Sequence, residues 1–221
     1  HCGDHAEIGW ILERLRQIHP GRLVAVGVSL GGNALLRWAE EMGQQAGQVV
    51  QALAALSAPV DLAASGAAIG RGANRLLYTR MFLNTMKPRA LQKLQQYPGL
   101  FDRQALLSAR NLYDFDNVFT APLHGFRDTD DYWQRASAKH ALSAIRVPTL
   151  LLNARNDPFV PASSLPKAQE VGTYVTLWQP TQGGHAGFPA GRWSGQLGSM
   201  AEAVGHWLWQ TIGAEAGLGH G

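Results

Sequence analysis

Hydrophobic residues in the first 60 positions alternate between helical spacing and short continuous runs. The first helical spacing follows Asp4 and Glu7, which form the D-x-x-E pattern that caps the N-terminus of a helix. Apolar runs at 22–28 and 49–56 are too short for a typical helix, so they predict buried strands. Between them, apolar residues at intervals of three and four predict a helix over 33–42. The order helix, strand, helix, strand is typical of an α/β fold with a parallel sheet.

The α/β pattern is interrupted over residues 61–144, where no segment predicts a strand and the spacing favours helices. It resumes with predicted strands at 147–154 and 173–178, and apolar spacing from Leu197 to Leu208 predicts a closing helix. A break of this length between two strands of one sheet indicates an insertion. The predicted organisation is a core at 1–60 and 145–213, a helical lid insertion at 61–144 and a loose tail at 214–221.

The composition is that of a compact globular protein. Of the 221 residues, 46% are hydrophobic and 16% are charged, and no apolar run is long enough to cross a bilayer. The single cysteine, Cys2, excludes an internal disulfide and indicates a reducing compartment, so we expect a cytoplasmic location. A net charge of +3 is too small to imply a nucleic-acid partner. Because the sequence has no cysteine pair, no H-E-x-x-H and no phosphate-binding glycine pattern, we expect neither a metal nor a cofactor.

Positive charge is concentrated in the first part of the predicted insertion. Between residues 61 and 110, eight basic residues against two acidic ones, Asp61 and Asp102, give a local charge of +6. This pattern has two interpretations. The more ordinary one is a solvated helical surface, and the other is a lid that contacts an anionic lipid or an anionic ligand group. The second interpretation predicts weak contact with a membrane surface.

The clearest chemical motif is a glycine-flanked serine, Ser29, between a predicted strand and a predicted helix. Gly27, Ser29 and Gly31 form the Gly-x-Ser-x-Gly pattern of a nucleophile elbow. Because the turn from strand to helix is sharp, we expect it to exclude side chains at Gly27 and Gly31. The backbone N–H of Leu30 is the expected oxyanion donor, and the helix N-terminus favours developing negative charge. The simpler interpretation is a tight turn in which the glycines only allow close packing.

A serine nucleophile needs a base, and the base needs a carboxylate that orients it. In enzymes with this elbow the partners follow in the order Ser, then Asp or Glu, then His, each after a strand. Asp157, directly after the predicted strand 147–154, is the preferred acid, and Asp61 is the alternative. His185, which has glycines on both sides, follows the last predicted strand and is the candidate base. Their more ordinary roles are an Asp-Pro turn and an exposed loop histidine.

With these motifs in place, the sequence resembles the YheT-type hydrolases, bacterial relatives of the α/β-hydrolase-domain proteins 1, 2 and 3. The shared motifs, which extend over essentially the whole chain, are G-V-S-L-G-G-N at 27–33, S-A-P at 57–59, Y-P-G at 97–99, D-F-D at 114–116 with T-A at 120–121, H-G-F at 124–126 with D-Y at 131–132, N-D-P-F at 156–159 and G-G-H-A-G-F at 183–188. The resemblance implies an α/β-hydrolase fold, with a mostly parallel sheet flanked by helices. It also implies that Ser29, Asp157 and His185 form a catalytic triad, and that the substrates are short acyl esters or acylglycerols, cleaved without a cofactor.

The resemblance further implies N-terminal strands and a loop that supplies a second oxyanion donor, and this sequence starts after them. Loss of one such donor typically slows catalysis by about 10²–10³-fold. A sheet that lacks its first strands also exposes an unpaired edge. We therefore expect the isolated chain to be weakly active or poorly soluble, although its full-length parent is expected to be a hydrolase.

The predicted function is hydrolysis of carboxylic esters through a Ser-His-Asp triad and an acyl-enzyme, with a small-molecule ester or lipid as substrate. The insertion is expected to cover the site. Four of its residues are candidates for lining the acyl pocket, although their more ordinary place is the core of the insertion: Phe82, Phe115, Phe126 and Tyr132. His124 is a fifth candidate, and its more ordinary role is to cap a loop. Two alternatives remain open: an acyltransferase that uses the same acyl-enzyme, and a catalytically impaired binding protein. The sequence predicts no oligomeric state.

Overall fold

The structure is a computed structural model that describes residues 1–188 and 199–217. It divides into two compact units. The core unit contains residues 2–61 and the residues from 136 onward, and the helical unit contains His1 and residues 62–135. Each unit is described separately.

The core unit is built on four parallel strands in the order β1-β2-β3-β4. Their bounds are Val24–Val28, Ala52–Leu56, Thr149–Leu152 and Val175–Trp178. All four predicted strands are present, but each is shorter than the run that predicted it. The start of the second predicted strand is wrong, because Ala46–Val49 forms a helical turn instead. Since neighbouring strands run parallel, their carboxyl ends lie at one edge of the sheet, where Val28 pairs with Leu56 and Leu56 with Leu152.

Helices make up most of the remaining described chain. In chain order, the α-helices are α1 His5–Ile18, α2 Leu30–Met42, α3 Ala46–Val49, α4 Leu62–Ile69, α5 Gly72–Asn74, α6 Arg80–Gln96, α7 Arg103–Ser108, α8 Leu112–Phe115, α9 Ala121–Leu123, α10 Thr129–Ala136 and α11 Ser199–Gly217. Two π-helical turns lie at Arg75–Thr79 and Asp116–Thr120. The predicted cap of the first helix is confirmed, because Asp4 Oδ1 accepts a hydrogen bond from the Glu7 N–H. None of the described helices combines the length and the apolar character that crossing a membrane requires.

Both faces of the sheet are covered by helices. On one face, Leu12 of α1 and Leu36 and Trp38 of α2 join a buried cluster with Leu53 and Leu151 of the central strands. On the other face, a second cluster joins β2 and β3 to α11; it contains Ala52, Ala54, Leu56, Leu150, Leu152, Val204 and Leu208. The strands β2 and β3 are buried along their whole length. That burial is why their sequences are continuously apolar instead of alternating.

The end of the core unit differs from the prediction. The helix α11 continues to Gly217, so the first four residues of the predicted loose tail are helical. Leu197, the first residue of the predicted closing helix, lies outside the described residues, as do residues 218–221. Among the described strands, β1 and β4 each have a neighbour on one side only. Val26 and Val28 of β1 are about half exposed.

The helical unit contains no strand between residues 62 and 135, as its sequence predicts. It has a small core of its own, made by Leu83, Ala90, Leu106, Ala109 and Phe115. A polar contact within this unit comes from Trp133, whose indole N–H donates to the partly buried Asp116 carboxylate at 2.9 Å. Burial raises the pKa of Asp116 above its usual range, although this hydrogen bond and one from Thr120 oppose the shift.

One ionisable side chain of α2 is buried in the core unit. Glu40 is 7% exposed, and its Oε2 accepts a hydrogen bond from Arg37 at 2.7 Å. Its other oxygen, Oε1, is buried and has no hydrogen-bond partner among the described residues. Burial raises the pKa of Glu40 to about 8, against the opposing charge of Arg37. Folding therefore shifts the equilibrium of this carboxyl group toward its protonated form.

Glu40 should make the free energy of unfolding depend on pH. Between its ordinary pKa of 4.5 and about 8, Glu40 ionises in the unfolded chain but keeps its proton in the folded one. The unfolded state then binds fewer protons, so stability falls as the pH rises through this window, by at most about 1.4 kcal/mol per pH unit. Glu40→Gln should remove this slope in urea unfolding measured at several pH values. Glu41→Gln, at the half-exposed neighbouring position, is the control. Equal slopes in wild type and Glu40→Gln would contradict the assignment.

Candidate active site

Ser29 lies at the carboxyl end of β1, and α2 begins at the next residue. Its N–H donates to the Leu56 carbonyl at 2.8 Å, which continues the β1–β2 ladder by one bond. Its own carbonyl accepts from the N–H groups of Gly32 and Asn33, so the same residue also starts the helix. These two requirements hold Ser29 at φ 53°, a left-handed conformation that is costly for a side chain other than glycine. The strand-to-helix elbow is therefore present, with Ser29 at its apex.

Glycines at positions 27 and 32 allow the strand and the helix of the elbow to approach each other closely. The sequence predicted this role for Gly27 but assigned the second one to Gly31. A Cβ atom at Gly27 would lie 2.5 Å from the Gly31 carbonyl oxygen and 2.7 Å from the Gly32 Cα. A Cβ atom at Gly32 would lie 2.9 Å from the Ala58 Cβ. At Gly31 a Cβ atom would meet nothing within 4 Å. The expectation that Gly31 excludes a side chain is therefore wrong, because the helix turns position 31 away from the strand and position 32 toward it.

Asp157 lies in the loop after β3, as predicted, with its side chain fully buried. One carboxylate oxygen, Oδ1, accepts from the backbone N–H groups of Phe159 at 2.8 Å and Val160 at 3.3 Å. The other oxygen, Oδ2, lies 2.8 Å from His185 Nδ1. The backbone bonds fix the orientation of the carboxylate, so that one oxygen remains available for the histidine.

His185 lies between Asp157 and Ser29. A carboxylate can only accept, so Nδ1 carries the proton toward Asp157 Oδ2, and Nε2 is free to accept from the Ser29 hydroxyl at 3.0 Å. The imidazole is about one-fifth exposed, and the Phe159 ring packs edge-on at a centroid distance of 4.7 Å. The three side chains chosen from the sequence thus form a continuous chain of two hydrogen bonds across three separate loops.

A polar residue whose role the sequence did not predict connects the two loops. Asn156 Oδ1 accepts from the Gly184 N–H at 2.9 Å, and its amide nitrogen donates to Gln182 at 2.7 Å. Gly184 has φ 63°, and the Phe188 N–H donates to the Gly183 carbonyl across the turn. Asn156 therefore holds the turn that carries His185 beside the loop that carries Asp157. The available signal was its position directly before the candidate acid.

A second unpredicted residue is Asn33, which is fully buried at the start of α2. Its amide nitrogen donates to the Cys2 and Ala136 carbonyls, each at 2.7 Å, and its oxygen accepts from the Ala138 N–H at 3.0 Å. Asn33 therefore fixes the helix behind Ser29 to two distant backbone segments of the core unit. Asn33 lies off the apolar stripe of Leu35, Trp38, Ala39 and Met42, so the only sequence signal was its position directly after the glycines of the elbow.

The alternative acid, Asp61, has a different partner. Its Oδ2 lies 3.3 Å from Lys139 Nζ, and both side chains are partly exposed. Since His185 Nδ1 is hydrogen-bonded to Asp157, the geometry favours Asp157 over Asp61 as the acid.

Leu30 is the first residue of α2, so its N–H has no carbonyl acceptor within the helix. Its role as the oxyanion donor stays a prediction.

All five candidate pocket residues belong to the helical unit. Phe115 is 2% exposed and lies in the core of that unit, and Tyr132 is 1% exposed. His124, Phe126 and Tyr132 each pack edge-on against the His1 ring. Phe82 is partly buried. Phe115 thus has the environment of a core residue, and a pocket role for the five stays a prediction.

Within the described parts of the chain, no group of three or more His, Cys, Asp or Glu side chains could hold a metal ion.

Comparison with known proteins agrees with this fold. A family model of the alpha/beta hydrolase fold matches residues 4–191. The putative esterase YheT of Escherichia coli (strain K12) is 35% identical over 194 residues, which cover 86% of this chain and 56% of YheT. Phospholipase ABHD3 of Mus musculus is 27% identical over 201 residues, which cover 90% of this chain and 48% of that protein. The chain thus spans about half the length of these relatives.

A solved structure shows the same fold. The crystal structure of Paleococcus ferrophilus monoacylglycerol lipase superposes on this chain with a TM-score of 0.51 at 20% sequence identity. The superposition covers 94% of this chain and 74% of that one.

The elbow geometry predicts different outcomes for its glycines. Gly27→Ala and Gly32→Ala should each lower the free energy of unfolding by about 1–3 kcal/mol, because the new methyl group overlaps atoms of the turn or of Ala58. Gly31→Ala should be neutral or slightly stabilising, because its methyl group meets open space and alanine favours helix. Urea unfolding of the three variants measures these effects. A loss of stability in Gly31→Ala equal to that in Gly27→Ala would contradict this account of the elbow.

Proposed function

The chain belongs to the alpha/beta hydrolase fold family, and from that premise we propose that it carries the nucleophile, base and acid of a serine hydrolase that cleaves carboxylic esters. The observation that carries the proposal is the pair of hydrogen bonds from Ser29 Oγ to His185 Nε2 at 3.0 Å and from His185 Nδ1 to Asp157 Oδ2 at 2.8 Å. In this arrangement a neutral imidazole accepts from the hydroxyl on one side and donates to a buried carboxylate on the other.

The first half of the reaction forms an acyl-enzyme. Ser29 Oγ attacks the ester carbonyl carbon while its proton passes to His185 Nε2. The imidazolium that results is stabilised by the Asp157 carboxylate, which keeps its charge throughout. His185 then gives the proton to the departing alkoxide oxygen, so the alcohol leaves neutral and Ser29 holds the acyl group as an ester.

The second half regenerates the enzyme. A water molecule takes the place of the alcohol, and His185 Nε2 accepts its proton as the oxygen attacks the acyl carbonyl carbon. Collapse of the tetrahedral intermediate returns the proton to Ser29 Oγ and releases the carboxylic acid. In both halves the carbonyl oxygen becomes negatively charged, and the Leu30 N–H at the start of α2 is the proposed donor to it.

The proposed substrates are small-molecule esters or lipids, with short acyl esters and acylglycerols as the specific classes. The support comes from two relatives whose names are putative esterase and phospholipase. A lid role for the predicted insertion, residues 61–144, stays a prediction. A cytoplasmic location remains a prediction that depends on the single cysteine.

Reactivity of Ser29 can be tested with a fluorophosphonate probe, which labels activated serines. The protein should be labelled, and Ser29→Ala should lose the label completely. Ser163→Ala, which changes an exposed serine of the core unit, is the matched control and should be labelled like wild type. Persistent labelling of Ser29→Ala would refute the nucleophile assignment.

The acid can be tested by comparing two substitutions of the same kind. Asp157→Asn should lower kcat for a soluble ester by about 10⁴-fold, because an amide no longer selects the productive histidine tautomer. Asp61→Asn should change kcat less than about threefold, since its contact is a partly exposed ion pair with Lys139. Steady-state kinetics of both variants decides between the two acids, and a larger loss in Asp61→Asn would reverse the assignment.

A further inference from the structure

The helical unit exposes three large apolar side chains on one short segment. Leu76, Leu77 and Met81 are 75%, 65% and 51% exposed, although they lie on a helix whose opposite side is buried through Thr79 and Leu83. Leu77 and Met81 are four residues apart and so lie on one face. Contiguous exposed apolar residues of this size mark interaction sites in globular proteins. We call Leu76, Leu77 and Met81 the apolar patch.

A π-helical turn places two of these residues together. Leu76 and Leu77 lie in the turn Arg75–Thr79, which joins α5 to α6. A π turn holds more residues than an α turn, so consecutive side chains diverge less and the two leucines share one outer surface. The turn is held by the Thr79 hydroxyl, which donates to the Ile69 carbonyl at 2.9 Å. Single π turns are rare and occur frequently at functional sites.

Positive charge surrounds the apolar patch. From Leu62 to Phe101 the sequence contains six arginine and lysine residues and no aspartate or glutamate. Lys87 donates to the Leu107 and Ala109 carbonyls, and Lys93 lies over the Tyr97 ring, so these two are engaged within the helical unit.

The arginines nearest the apolar patch differ from these lysines. Arg71, Arg75 and Arg80 are all exposed, and none of them has an ion-pair partner among the described residues. Arg75 directly precedes Leu76 in the sequence, and Arg80 directly precedes Met81. The helix therefore presents unneutralised guanidinium groups beside aliphatic side chains.

We propose that this surface binds an anionic lipid membrane. Aliphatic side chains on a helix enter the boundary between headgroups and acyl chains, while neighbouring arginines meet the phosphates with their apolar stems along the same surface. Anionic headgroups supply the negative charge that the segment from Leu62 to Phe101 lacks. The proposed contact is a peripheral one, made by side chains at the bilayer surface. Binding at this surface is independent of catalysis at Ser29.

The α1 helix provides an internal comparison. It also exposes large apolar residues, Trp10 at 69% and Ile18 at 57%. Its charges are mixed, however, because Glu7 and Glu13 lie on the same helix as Arg14 and Arg16. A surface of mixed charge gains little from an anionic membrane, so the proposal is confined to the helical unit.

Vesicle co-sedimentation of the full-length protein tests the proposal. Wild type should bind vesicles that contain phosphatidylglycerol more strongly than vesicles of phosphatidylcholine alone, and added salt should weaken the binding. Leu76→Ser with Leu77→Ser should lower the partition coefficient by about tenfold or more. Arg75→Gln should lower it by about fivefold on anionic vesicles and leave the weak binding to phosphatidylcholine unchanged.

Matched controls are available in the core unit. Trp209→Ser removes a side chain that is 74% exposed, and Arg14→Gln removes one exposed charge, so neither should change vesicle binding. Turnover of a soluble ester without vesicles should be the same in the Leu76 and Leu77 variants as in wild type, which separates this proposal from the hydrolase assignment.

Two results would overturn the membrane assignment. One is equal binding of wild type and the leucine variant to anionic vesicles. The other is a change of oligomeric state in the leucine variant, measured by light scattering, without a change in vesicle binding, since that would make the apolar patch a contact between protein chains.

Discussion

The close approach of a strand end and a helix start is the constraint on which the rest of the site depends. Gly27 and Gly32 let the backbone of β1 and that of α2 come within contact distance, and Ser29 between them must adopt a left-handed φ of 53°. The cost of that conformation is of the order of 1–3 kcal/mol. It is offset by the bonds on either side, from the Ser29 N–H to Leu56 and from two helical N–H groups to the Ser29 carbonyl. The hydroxyl is thereby raised above the strand ends.

The same sheet edge explains how two further loops reach the serine. Parallel strands bring their carboxyl ends together, so the loops after β1, β3 and β4 are neighbours although 156 residues separate Ser29 from His185. The backbone bonds to Asp157 then orient its carboxylate, and the side-chain bonds of Asn156 position the loop that carries His185. Fold topology thus gives proximity, and local hydrogen bonds give orientation.

Sequence patterns predicted the strands and the order in which the three site residues follow them along the chain. Four apolar runs became four strands, and Ser29, Asp157 and His185 each followed one of them, because chain order and strand ends are readable from one sequence. The role of Gly31 was mispredicted, since whether a glycine is needed depends on what packs against it, and Ala58 approaches Gly32 instead. Asn33 was missed as an anchor for a related reason. Two of its three partners, Ala136 and Ala138, are more than 100 residues away.

A second serine at the carboxyl edge of the sheet, Ser57, also has a strained backbone conformation. Ser57, at the end of β2 beside the Ser29 turn, has φ 51° and is fully buried. Its hydroxyl has no hydrogen-bond partner among the described residues, so its conformation is not maintained by a side-chain bond. The backbone bond from its N–H to the Leu152 carbonyl and the burial of β2 must hold it. The rigid central strands therefore support two left-handed turns at one edge. Among the residues that the structure describes, a histidine is hydrogen-bonded to Ser29, whose side chain is partly exposed, and none is hydrogen-bonded to the Ser57 hydroxyl.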